Sequence, residues 1–181
     1  MTNRTEAAWR KLRPCQPPGG YRHCASSRLH SKPLPEIIVP VQNRAIEIHD
    51  SELDKVTLEA GVAMLHFPHV YIHSSEGRPA IDAGSGWSQQ AVIRIGNARI
   101  EGKFSEESRE AYGGHAHYLS DGSLRINSSV SDNLIPIPLE AHGDIELTLE
   151  CWGDVVRVHG NSVSLELIGT AEYVEEFHPG P

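Results

Sequence analysis

The chain has few of the features by which a sequence declares its chemistry. Its 181 residues include three cysteines, Cys15, Cys24 and Cys151, an odd number that does not make a disulfide framework. No apolar run approaches the ~20 residues a membrane-spanning helix needs. The N-terminus lacks the apolar central region of a secretory signal, so a soluble, cytoplasmic protein is expected. There is no Gly-x-Ser-x-Gly nucleophile elbow; Gly84-Ser85-Gly86 is close only superficially. There is also no Gly-rich phosphate loop. Glu106-Glu107 and Glu175-Glu176 are adjacent pairs. Adjacent side chains diverge on a helix or strand, so these are solvated charges rather than an acid–base pair. Nothing repeats at a fixed period.

Charge is present but unevenly placed. Residues 1–35 carry seven Lys/Arg and a single acid, Glu6, whereas the remainder carries 9 basic and 23 acidic residues, a net −14. This division predicts a basic N-terminal arm over 1–35, rich in Arg, Ser and Pro with little to bury, and a single domain over 36–181. An acidic body excludes nucleic acid as the partner of the folded domain, because phosphate binding needs a basic face. Cys15, His23, Cys24 and His30 in the arm match no common zinc spacing.

Strand patterning dominates the body. From Asp144 to Trp152, Ile145, Leu147, Leu149 and Cys151 alternate with Asp144, Glu146, Thr148 and Glu150, the period of a strand with one buried face. Gly153-Asp154 reads as a turn and Gly160-Asn161 as a second. Val163, Leu165 and Leu167, then Ala171, Tyr173 and Phe177, continue a C-terminal meander to 177. Upstream, Glu36–Val41, Asn43–His49 and Lys55–Glu59 read as short strands, with Asp50, Ser51 and Asp54 marking a polar turn. Val62–His73, interrupted at Pro68, reads as two strands or as one with a bulge at an edge. Residues 74–89 read as a long loop. Gln90–Gly102 is a strand pair about Gly96-Asn97 or one kinked strand. Ser105–Tyr112 is the one short helix, with Ser105 as its cap. Leu134–Leu139, with two prolines, belongs at an edge. The expected fold is all-β: a single antiparallel barrel or a two-sheet sandwich.

Eleven histidines supply the sharpest chemical reading. His69 and His73, and likewise His115 and His117, sit at even spacing, so each pair shares a strand face and together they make a candidate metal set, with Asp82, Glu101 or Glu110 to complete it. The alternative is that these are half-buried histidines at strand ends. The His115-x-His117 pair after Gly113-Gly114 invites comparison with cupin barrels, but Asp121 stands where a cupin has Glu, and no family resemblance carries a role over. Trp87 is a candidate ligand-cavity wall or barrel plug, and Trp152 a candidate partner contact at a hairpin tip.

These observations favour a soluble all-β binding or interaction protein without catalytic activity, its small-molecule or protein ligand unspecified. The alternatives are a metal-dependent, cupin-like barrel enzyme using the histidines with a divalent metal as cofactor, and an acidic protein that neutralises a basic protein partner.

Overall fold

The computed structural model describes residues 43–111 and 113–178. The basic arm, the expected strand at 36–41 and the two N-terminal cysteines lie outside them. The elements are β1 (Asn43–Leu53), β2 (Lys55–Glu59), β3 (Val62–Ser75), β4 (Gly84–Gly96), β5 (Arg99–Glu101), α1 (Glu106–Glu110), β6 (His117–Tyr118), β7 (Asp121–Ile126), β8 (Ser129–Asp132), β9 (Leu134–Ile137), β10 (Glu140–Cys151) and β11 (Asp154–Phe177).

All strands belong to one antiparallel sheet with the order β6-β1-β3-β4-β11-β10-β7-β8, to which β2 adds on β3, β5 on β11 and β9 on β1. The sheet curls into a half-barrel, so the all-β class is as the alternation implied. A single sheet folded over its own concave face, rather than two stacked sheets, encloses Ile46, Leu65, Ile72, Ile93, Ile95, Leu124, Ile145 and Leu147. Asn133 draws the far ends of the sheet together. Its carbonyl accepts from the Ile48 N–H at 2.9 Å, and its own N–H donates to the Gly122 carbonyl at 2.8 Å. It does so at φ +57, a left-handed conformation that Asn tolerates because its short side chain bonds locally.

The alternation from Ile145 to Cys151 is borne out: all four apolar positions are buried, as are Val156, Val158 and Val163, with Leu165 and Leu167 half-buried against them. The β10–β11 loop is Trp152-Gly153, both at positive φ, one residue earlier than the expected Gly153-Asp154 turn and of the type that two-residue hairpins favour.

The expected second turn at Gly160-Asn161 does not occur. β11 runs through it, keeping β10 on one edge as far as Ser164 while its other edge passes from β5 to β4. Gly160 serves close approach instead: a Cβ there would collide with the Ile95 side chain and stand 2.6 Å from the Gly96 carbonyl oxygen. Opposite it, β4 and β5 lie end to end along β11, so 90–102 is the kinked strand of the two alternatives. The loop expected over 74–89 shrinks to 76–83, because Gly84-Ser85-Gly86 opens β4. Pro68 sits where β3 passes from β2 to β1, at a shift in register. Ser105 caps α1, its hydroxyl accepting from the Ser108 N–H at 3.3 Å.

Candidate metal centre

The polar turn expected at Asp50–Asp54 is instead a bulge inside β1. The β1–β3 ladder runs regularly to Glu47↔Tyr71 and resumes at Glu52↔His69, so four residues of β1 lie opposite Val70 alone. Alternation already places Glu47 and His49 on one face, away from the buried Ile46 and Ile48. Asp50 would belong to the other face; the bulge turns it back beside them, as bulges do when they re-aim a side chain. Ser51 closes the bulge from within. Fully buried, it donates to the Glu47 carbonyl at 2.7 Å and accepts from the Tyr71 N–H at 3.2 Å. The His49 N–H donates to Asn133 Oδ1 at 3.1 Å, tying the bulge to the sheet joint.

The three side chains converge. His49 Nε2 lies 3.6 Å from Glu47 Oε2 and 3.0 Å from Asp50 Oδ2, and one ligand atom from each residue falls within 4.8 Å of the others. Donors bound at ~2.0–2.2 Å around one ion stand roughly 3–3.5 Å apart, so the observed separations suit a shared cation after small adjustment. The outward carboxylate oxygens are oriented from behind. Glu47 Oε1 lies 3.1 Å from His73 Nδ1, and Asp50 Oδ1 accepts from the Tyr118 hydroxyl at 3.0 Å. His49 Nδ1 is buried without a partner. The Glu47 side chain is only 7% exposed, whereas His49 and Asp50 are 40% and 43% exposed, so the group is anchored on one side and open on the other. Among the described residues neither carboxylate pairs with Lys or Arg; their ionic partners are histidines. Nearby, burial, then the Tyr71 hydroxyl's bond to Glu175 (3.1 Å), raises the Tyr71 phenol far above its ordinary range, so it remains a donor.

The four histidines expected as ligands are dispersed. His69 is exposed beside Ser88 Oγ (3.1 Å) and lines an open groove of ≈ 400 Å³ with His66 and His115. His73 is buried, its Nδ1 2.9 Å from the Ala80 N–H and its ring 4.4 Å from that of Phe177. It reaches the candidate centre only through Glu47. His117 lies elsewhere, its Nδ1 3.0 Å from Ser108 Oγ and its ring 4.9 Å from that of Phe104. Burial, aided by the Arg109 charge, holds its imidazole below the usual range. Among the described residues no three of these histidines share a ligand-sized space. Asp82 is engaged by Arg78, whose backbone N–H and guanidinium hold its carboxyl below the usual range; Glu101 pairs with Arg99; Glu110 ends α1.

Trp87 packs half-buried against the core, edge-on to Tyr173 at 5.4 Å, with its indole N–H donating to Ser85 at 2.8 Å. Trp152 is 63% exposed at the hairpin tip. Burial pushes the Cys151 thiol up, in keeping with a small core residue. No helix among the described residues is long and apolar enough to cross a membrane. In comparisons with known proteins, no family model, no curated protein and no solved structure matches the chain.

Proposed function

We propose that this chain is an all-β binding protein whose ligand is a divalent cation held by Glu47, His49 and Asp50. The observation that carries the reading is the β1 bulge, which gathers two carboxylates and an imidazole with no Lys or Arg among the described residues to neutralise them. Mixed nitrogen and oxygen donors without thiolate suit Zn²⁺, Mn²⁺ or Fe²⁺ rather than Cu(I) or an iron–sulfur cluster. Tyr118 fixes the Asp50 carboxylate from the second layer, as the partners of metal ligands commonly do. In this reading the cation's ligands are Glu47, His49 and Asp50 rather than His69, His73, His115 and His117.

The open side of the group supports a second reading, a metal-dependent enzyme, because catalytic centres keep a position free for water or substrate. Three protein ligands and exposed His49 and Asp50 are compatible with it. Elemental analysis of protein purified without chelator tests the first reading. Stoichiometric transition metal that disappears in His49→Ala supports it; the same metal content in His49→Ala overturns it.

A further inference from the structure

Among the described residues, the second half of β11 is an open strand edge. β10 pairs with β11 only as far as Glu140↔Ser164, with a last bond from the Leu165 N–H to the Leu139 carbonyl at 3.0 Å. From Glu166 to Phe177, β4 lies on one side, and among the described residues no strand lies on the other. Other margins of the sheet are short: β6 has 2 residues, β8 has 4, and β9 has 4 with Pro136 among them. An unpaired edge offers a row of backbone donors and acceptors that specifies an extended partner.

The side chains narrow the choice. No Lys or Arg occurs after Arg157, while Glu166, Glu172, Glu175 and Glu176 line this edge. Arg94 neutralises Glu166 at 2.6 Å, and the Tyr71 hydroxyl donates to Glu175 without cancelling its charge. Glu172 and Glu176 have no ion-pair partner among the described residues. Between the glutamates, Ile168, Tyr173 and Val174 are large apolar side chains left exposed. A second copy would set Glu against Glu, which disfavours pairing. Register shifts after Ile168 and after Tyr173 kink the edge, which suits a flexible segment better than the straight edge of another folded sheet.

We infer that residues 166–177 dock an extended Lys/Arg-bearing segment of a basic protein by strand addition, independently of the cation site. This gives the acidic body a specific surface for a basic partner. The probe is a fluorescent peptide alternating Lys and Val, followed by anisotropy with the full chain. The expected result is saturable binding that weakens as salt rises. It should also weaken about tenfold or more in Glu172→Lys/Glu176→Lys, a surface variant whose circular dichroism and melting serve as folding controls. A peptide N-methylated on alternate residues, which keeps the charge but loses edge hydrogen bonds, should bind as weakly. Equal binding of the methylated peptide would reduce the surface to a diffuse charge effect and overturn the proposal. So would indifference to the charge reversal, absence of binding, or a concentration-dependent dimer of the free protein that the charge reversal alters.

Discussion

The Ser51 hydroxyl donates to the Glu47 carbonyl across the mouth of the β1 bulge, at 2.7 Å. With the Tyr71 N–H donating to the Ser51 hydroxyl oxygen at 3.2 Å, one buried side chain replaces the ladder bonds that the extra residues displace. Ser51→Ala leaves a buried donor and acceptor unpaired and should cost about 1–3 kcal/mol. It should also weaken cation binding, because Asp50 loses its fixed direction. Urea unfolding measures the first effect; a loss under about 0.5 kcal/mol, the usual surface value, would mean that the bulge holds its shape without Ser51.

Leu147 and Glu146 give a test of register. Leu147 is fully buried, and Leu147→Ala should cost ~2–5 kcal/mol. Glu146 faces outward, accepting from Arg125 at 3.2 Å and lying 3.3 Å from His159 Nδ1. Such part-exposed pairs contribute at most about 1 kcal/mol, which bounds Glu146→Ala. Equal costs in chemical denaturation would contradict the one-sided burial of β10.

His117 makes stability depend on pH. Its folded pKa is depressed, chiefly by burial, below the ~6.5 of the unfolded chain. The unfolded state therefore binds the proton more readily. The stabilisation is complete above about pH 6.5 and is lost as pH falls from there through the folded pKa. Unfolding free energy should drop across this window, and His117→Asn, neutral and able to bond Ser108, should make the drop shallower. An unchanged slope would count against His117 as its source.

Gly160 and Gly153 should respond oppositely to substitution. Gly160→Ala forces a Cβ against Ile95 and the Gly96 carbonyl and should cost about 1–3 kcal/mol, as overpacking does. Gly153 has open space around it at φ +84, so Gly153→Asn should be tolerated, since Asn accepts the left-handed region. Thermal melts of both variants suffice. A harmless Gly160→Ala would restore the turn that the Gly160-Asn161 pair suggests.

Strand faces were legible wherever alternation was clean. The period of two in Ile145–Cys151 gave β10 its face, and Ser105 marked α1. Glycines misled, because the same residue serves turns and close packing. Gly160 admits Ile95, and Gly86 leaves the space that the Tyr71 phenol occupies; neither purpose shows locally. The centre was half legible. Glu47 and His49 share a face at a spacing of two, but the polar residues Asp50, Ser51 and Asp54 read as a turn, and only the count of residues against Val70 reveals the bulge. The spacing of two at His115 and His117 implied a shared strand face, but β6 begins only at His117, and His115, exposed, precedes it and lines the groove beside His69 instead. His69 is exposed and His73 buried on the same strand, because the covering elements differ along its length.

The central claim is that Glu47, His49 and Asp50 bind a divalent cation. Calorimetric titration of Zn²⁺, and separately Mn²⁺, into metal-free full-length protein tests it most directly, with His49→Ala, Asp50→Asn and the His69→Ala/His115→Ala double variant alongside. The account predicts a saturable, stoichiometric event that survives in the double variant and disappears in both single variants. It also predicts weakening at acid pH, because the ligands must shed their protons to bind. Binding that persists in His49→Ala and Asp50→Asn but vanishes in the double variant would contradict the account and return the site to the histidine groove.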